Sequence, residues 1–553
     1  MNVIPLRPAL MLALAGVLAG CATYPAQRGL DETHKLIADR GGAIPPSVGP
    51  RDCADQATEL APLVSDPLTP DSAVRIALMC NAELAAEYAR LGIARADTFQ
   101  AARLANPTLT AAALDSSARG GAPQLELGLV QNFTNLLLRG PRTRQAEGEF
   151  LRTQQQLANS VLGLAANTKA DYYALVGAQQ IATVRHAIAD ALQTSADVAQ
   201  RFHDAGNLSA RGLAEYQAAA GQGLVDARIA DRDVAAARVA LMLQLGLPAK
   251  TAWSVPDRLS LPVTEEDGAE ALQTRADQNR LDLAAARQLV VLLTDSEKVT
   301  REFRWLGDFS VGVSYERDPD RSRLLGPSLS IQLPIFDQGQ GPAARASALK
   351  DWGATEQRRL TQAVSGGVEL AGRRVDNARQ RAEDYRTKII PQRQTVVART
   401  QEEQNFMLVG VFELFAAKRA EFDAYQGYLE ALRDYWVARA DLEHAVGASL
   451  PSEAHPASAT ITPQQLLTPA PAMGGMNHMH HAGAAMPGMD MSADPHAGHD
   501  ASAPPAKNAP TDHSMHDMPG MDMHMPSGDT PPQSPPKSPN TSTADHDHHG
   551  ATP

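Results

Sequence analysis

The sequence predicts a mainly α protein carrying membrane-type β-strands, built twice from one unit: strand, strand, long helix, turn, long helix. Three observations predict it. Gly140-Pro141 followed by Arg144 recurs 201 residues later as Gly341-Pro342 followed by Arg345, and a repeat of this kind sets the architecture before any single element is read. Two short segments precede each Gly-Pro, and most of these alternate apolar with polar residues; a long helical tract without a Gly-Pro break follows each. Those tracts hold apolar residues at 4-3 spacing, which is the seam of a coiled coil.

The 553 residues are enough for several domains. Residues 1–20 read as a signal peptide, with the apolar run Ala9–Ala19 behind a short n-region carrying only Arg7. It ends in Leu18-Ala19-Gly20-Cys21, which resembles the lipobox of bacterial lipoproteins. The resemblance implies small residues for the signal peptidase and the Cys21 thiol as acceptor of the diacylglycerol. Ala22 in place of an aspartate resembles lipoproteins sorted to the outer membrane. Residues 21–67 are Pro- and Gly-rich and are expected to be an extended lipidated segment. Cys53 and Cys80 would sit in an oxidising compartment, where they either pair or stand as two buried thiols.

The first repeat spans 68–250. A helix is expected from Thr69 or Asp71 to about Leu104, with Val74, Leu78, Leu84, Tyr88 and Leu91 near helical spacing, and Asn106-Pro107 ends it. The hairpin 108–133 follows. Its first strand, Thr108–Leu114, is Ala-rich, and its second alternates Leu125, Leu127 and Leu129 with Glu126 and Gly128. A helical hairpin over 141–250 turns at Gly206 and carries Ile181, Val184, Ile188 and Leu192 as its seam. Residues 251–266, with Trp253, Pro256 and Pro262, link the halves.

The second repeat spans 267–450, with a hairpin over 308–335. Phe309, Val311, Val313 and Tyr315 alternate with small or polar residues, and so do Leu329, Ile331 and Leu333. In the helical hairpin 342–450, Val364, Val368, Ala371, Val375, Ala378, Ala382, Tyr385 and Ile389 keep an unbroken 4-3 spacing. Pro391 interrupts it, which predicts a kink or junction. Gly410 is expected to close the outgoing helix, as glycine commonly does. Phe422, Tyr425, Leu429, Leu432 and Trp436 repeat the spacing on the return.

No stretch after the signal approaches the roughly 20 apolar residues of a spanning helix, so a membrane crossing would need a closed barrel. Strands with one apolar face suit such a barrel; a soluble sheet packed on helices is the alternative. Four strands cannot close one, because about eight make the smallest barrel and its interior is filled by side chains. An open pore then needs several copies, for which cyclic closure is the economical route. Three copies would supply twelve strands.

Residues 68–450 resemble the TolC-type outer-membrane factors. The resemblance rests on the duplicated layout, on Leu333-Pro334-Ile335-Phe336-Asp337 with Gly339 and Gly341, and on Ala205-Gly206-Asn207-Leu208-Ser209. Asn405 to Leu414 and Tyr425 to Trp436 are similar to the branch found beside heavy-metal efflux pumps. The family implies a homotrimeric twelve-strand barrel on an α-helical coiled-coil tunnel. It implies a passive exit duct partnered by a periplasmic adaptor and an RND-type inner-membrane pump. It places adaptor docking at Gly206 and Asn207 and at Val409, Gly410 and Val411, and a gate acid at Glu413. The family's second gate acid falls at Ala416; Glu402 and Glu403 either substitute for it or form a solvated face. The regular seam, the Pro391 break and the gate acid all lie in the second half, so that half is expected to line and gate the tube.

Residues 451–553 hold 18 of the 38 prolines, 12 of the 16 histidines and 11 of the 16 methionines, with no aromatic residue. Such a composition predicts a disordered tail. Its soft and borderline donors cluster as Met473, Met476, His478, Met479, His480 and His481, then Met489, Met491, His496 and His499. Further on come His513, Met515, His516, Met518, Met521, Met523, His524 and Met525, and finally His546, His548 and His549. Thioethers favour Cu(I), and Ag(I) by the same softness, whereas imidazole alone would also suit nickel or zinc. No cofactor is required by the body. A tail under no metal selection is the alternative, with drugs or solvents as cargo or the whole chain as a metal-sequestering scaffold.

The tail has ten acids and two lysines, −8 of the total −13, which leaves the body near neutral and argues against nucleic-acid binding. No nucleophile elbow, P-loop, dinucleotide fingerprint or HExxH appears, and His186, His203 and His444 stand singly on helical tracts. An enzyme is not expected.

Overall fold

A computed structural model describes residues 29–43, 53–115 and 123–451. Cys21 and every methionine and histidine named in the tail lie outside the described residues.

The amino-terminal segment is partly helical, which corrects the extended segment expected over 21–67. Leu30, Thr33 and Ile37 recur at helical spacing and are buried on one face of α1 (Leu30–Ala38). The glycines and prolines around this stripe masked it. Gly29 sits at φ 91°, its carbonyl accepts the Gln154 amide at 2.8 Å, and a Cβ there would strike the Phe150 ring. A 3-10 turn (Cys53–Gln56) then leads into α2 (Ala57–Val64).

Cys53 and Cys80 form a disulfide across 27 residues of chain, with Cα atoms 4.7 Å apart. A loop of that length predicts a stabilisation of about 3.5 kcal/mol. Cys80→Ser is therefore expected to lower the unfolding midpoint and to expose residues 53–64 to trypsin or thermolysin, measured as faster amino-terminal nicking.

The single helix expected over 69–104 is two. α3 (Pro70–Cys80) begins with a reciprocal cap between Thr69 and Ser72. Asn81, at ψ 119°, ends it and caps α4 (Ala82–Ala101) by accepting the Leu84 N–H at 3.0 Å. Its amide also donates to the Gln244 carbonyl at 3.0 Å, so the break is held from outside the helix.

Next come β1 (Thr108–Leu114), β2 (Gln124–Asn132), the single turn α5 (Thr134–Leu137), α6 (Arg139–Asp204) and α7 (Ala210–Leu245). The second half repeats the order: α8 (Ala269–Asn279), α9 (Leu281–Phe303), β3 (Phe309–Arg317) and β4 (Arg323–Ile331). The duplication includes the break, since 11- and 20-residue helices precede β1 and 11- and 23-residue helices precede β3. Leu333 lies beyond β4, not within a strand. The Gln332 N–H to Asp308 carbonyl bond (2.9 Å) is the last of the ladder, because Pro334 has no N–H to continue it.

The outgoing helix of the second half is α10 (Gln340–Asp384), a π turn (Tyr385–Ile389) and α11 (Ile390–Asn405); α12 (Val411–Val446) returns. Pro391 cannot donate to the Thr387 carbonyl. The turn before it widens, and the Ile390 N–H reaches the Tyr385 carbonyl instead. Val364, Val368, Ala371, Val375, Ala378 and Ala382 are buried, while Tyr385 and Ile389, inside the π turn, are only half-buried. The Tyr385 ring lies where a Cβ of Gly427 would be. α6 and α12 form the centre of the packed body: the Tyr173 and Trp436 rings stack at 5.0 Å, and Gly177 admits the Arg433 stem.

Candidate functional site

Three features of the body bear on function: the sheet, the two hairpin tips and the polar clamp between the halves.

The sheet has the antiparallel order β1-β2-β3-β4, so among the described residues β1 and β4 are both unpartnered edges. Register aligns Leu109, Leu129, Val313 and Pro327 in one row and Ala111, Leu127, Tyr315 and Leu325 in the next. The intervening rows, such as Thr110, Gly128, Ser314 and Gly326, lie on the other face because strand side chains alternate. Leu109, Leu325 and Leu329 are 71%, 73% and 64% exposed. An apolar face this open is unusual for a lone soluble chain, and two bare edges are templates for further strands. Among the described residues, no helix is long and apolar enough to cross a membrane.

At the far end of the helices lie the two turns. Gly206 closes α6 at φ 77°, with its N–H on the His203 carbonyl and the Asn207 N–H on the Phe202 carbonyl, both 2.8 Å. Ser209 caps α7 by accepting the Gly212 N–H at 3.1 Å. The second turn differs from expectation. Met407, not Gly410, takes the left-handed conformation (φ 61°), and the Leu408 N–H bonds the Glu403 carbonyl at 2.9 Å. Gly410 is extended and starts α12, between Val409 and Val411. The loop needs its reversal three residues earlier, where α11 runs out, so the glycine serves as an amino-terminal cap.

Glu413, the expected gate acid, is exposed and its carboxylate accepts the Gly410 N–H, closing the first turn of α12. Glu402 is paired with Arg399 at 2.6 Å. Glu413→Ala is expected to cost about 1 kcal/mol as a lost cap and to speed amide exchange over 410–414, read by hydrogen exchange. An aromatic cluster that the sequence reading missed joins the two tips: Phe412 lies 5.6 Å from Phe202 and stacks on Tyr216 at 4.5 Å. Its sequence signal was an aromatic residue within two turns of the tip in three helices, Phe202 in α6, Tyr216 in α7 and Phe412 in α12.

The clamp was also missed. Arg439 and Glu266 are 5% and 7% exposed and pair at 2.8 Å, Nε to Oε1. The Tyr435 hydroxyl donates to the same oxygen at 2.6 Å and accepts the Val263 N–H at 3.0 Å. Burial, then the adjacent carboxylate, pushes that hydroxyl's pKa well up. Arg439 also donates to the Pro451 carbonyl, Trp436 Nε1 bonds the Ser260 carbonyl at 2.8 Å, and Lys169 pairs with Glu443 at 2.8 Å. The linker, α12, α6 and the chain's exit are thus tied at one level. An arginine one turn after Tyr435-Trp436 in an apolar stripe was the available clue.

His186 pairs with Asp231 at 2.8 Å, joining α6 to α7, and His203 bonds the Leu208 carbonyl at 2.8 Å within the first tip. His444 is held neutral-leaning by burial and by Arg280. Among the described residues, no group of three or more metal-ligating side chains comes together.

No protein-family model and no curated protein matches the chain. Solved structures do. CusC, in which conformational changes accompany folding and transmembrane channel formation, is 14% identical over 69% of this chain and 92% of its own, at a TM-score of 0.56. The outer-membrane channel OprN is 15% identical over 75% and 95%, at 0.57. The Campylobacter jejuni CmeC outer membrane channel is 13% identical over 77% and 93%, at 0.55. What the chain shares with these channels is the fold.

Proposed function

We propose that the protein is the outer-membrane channel of a tripartite efflux system. Three copies close their sheets edge to edge into a twelve-strand barrel, and their helices continue it as a periplasmic tunnel. The observation that carries this reading is the four-stranded sheet, with one apolar face exposed, both edges bare, and a 66-residue helix running from its foot. Closure between copies satisfies the edges, and lipid covers the leucines, two requirements that one chain alone leaves unmet. The fold likeness to outer-membrane channels supports it.

The duct is passive; an RND-type inner-membrane pump drives transport, and a periplasmic adaptor packs on the two tips. Cys21 carries the lipid anchor in the outer membrane. Glu413 contributes to the constriction. Cu(I) or Ag(I) is the cargo, a reading supported by the interleaved methionine and histidine of the tail.

Membrane fractionation tests the duct: heat-modifiable, detergent-stable trimers in the outer membrane are expected, and periplasmic monomers would refute it. Deletion tests the cargo. Copper and silver tolerance is expected to fall; a strain that becomes drug-sensitive with metal tolerance unchanged would point to a drug or solvent duct with an incidental tail.

A further inference from the structure

A cavity of about 660 Å³ lies at the foot of the sheet, between the last turns of α4, the first turns of α6, and α9. Its charges are sorted by height. Arg103, Arg139 and Arg142 ring its upper end, next to the strands, and Asp97 and Glu149 line its lower part. Bonds to neighbours fix the upper arginines in place. Arg139 Nε donates to the Ala102 carbonyl at 2.8 Å, Arg142 Nη1 to Asn135 Oδ1 at 2.5 Å, and Arg103 lies over the Phe99 ring at 4.1 Å. Arg139 and Arg142 use one N–H each in these bonds, of the five that a guanidinium carries.

The lower acids are not equivalent. Glu149 is gripped by Arg152 at 2.5 Å, which leaves Asp97 as the charge facing the cavity. The Thr143 hydroxyl on the Ala101 carbonyl (3.2 Å) sets α6 against α4, so Asp97 lies about one turn, ~6 Å, below Arg142. Gln131 continues the Leu127–Leu129 face of β2 and donates to the Ala105 carbonyl on the cavity rim at 3.0 Å. The rim therefore sits at the foot of the apolar face.

We infer that this cavity seats the headgroup of a phosphatidylethanolamine from the periplasmic leaflet, phosphate on the arginines and ammonium toward Asp97. The inference rests on the membrane reading above. Guanidinium forks match phosphate oxygens, and basic pockets at a membrane surface bind lipid phosphates. The acid one turn deeper is what selects the occupant. Phosphatidylglycerol has no cation to offer it, and the trimethylated cation of phosphatidylcholine has no N–H to donate.

Native mass spectrometry of the detergent-purified full chain, titrated with the three lipids on identical acyl chains, tests it. Phosphatidylethanolamine is expected to bind about tenfold more tightly than phosphatidylcholine, the worth of one charge-assisted hydrogen bond. Arg142→Gln is expected to weaken phosphatidylethanolamine and phosphatidylglycerol alike, and Asp97→Asn to weaken only phosphatidylethanolamine. Should Arg142→Gln lose the oligomer, Arg103→Gln carries the same expectation. Equal binding of all three lipids, or no response to either variant, overturns the inference. Loss of the wild-type oligomer from the outer membrane would instead overturn the duct reading, whereas an intact oligomer with a flat lipid profile overturns only this one.

Discussion

Arg439→Leu is expected to destabilise the body by about 3–5 kcal/mol, because it leaves the Glu266 carboxylate buried without its partner. Both side chains are almost fully enclosed, and among the described residues Glu266 Oε1 otherwise keeps only the Tyr435 hydroxyl. The loss should appear as a lower denaturant midpoint and a heat-labile oligomer. Removing both charges, with Glu266→Leu added to Arg439→Leu, should recover most of the stability, since a buried pair and its apolar replacement are often near equal. If the single variant is as stable as the parent, the clamp does not join the halves.

The second large effect is expected on the sheet. Leu129 sits in the middle of the row Leu109, Leu129, Val313 and Pro327 and is 51% exposed. Leu129→Arg on a lipid-facing strand should cost about 2–4 kcal/mol near the bilayer midplane and abolish assembly in the outer membrane. On a solvated sheet the same change would stay within about 0.5 kcal/mol. Ser314→Lys, on the opposite face of β3, is the control and should assemble. An assembled Leu129→Arg channel would mean that lipid does not touch this face.

Much of the fold was legible because period and punctuation agree along most of the chain. The 4-3 run from Val364 to Ala382 is buried residue for residue, and the alternation of Phe309 to Tyr315 lies within β3. Pro391 foretold a junction, and the π turn sits directly ahead of it. What stayed hidden was set by contacts distant in sequence. Asn81 breaks a helix that propensity would continue, because Gln244, on α7, holds its amide. Met407 rather than Gly410 reverses the chain where α11 ends, and no local residue preference signals that. Arg439 stands out in its apolar stripe, but its partner Glu266 is 173 positions away and looks like an ordinary surface charge until the linker folds over α12. The tail's donors and Cys21 were legible only as chemistry.

Edge-to-edge closure is the central claim, and inter-copy cross-linking of β1 to β4 tests it most directly. Within one chain these strands are separated by β2 and β3, about 14 Å at the usual strand spacing, too far for a disulfide, whose Cα atoms lie within about 7 Å. A cysteine at Thr110 combined in turn with one at Gly326, Ser328 or Ser330 should give dimers and trimers under oxidation in outer-membrane fractions for at least one pairing. The single variants should stay monomeric on denaturing gels. Monomer in every pairing, or equal dimer in the single variants, would contradict closure between copies.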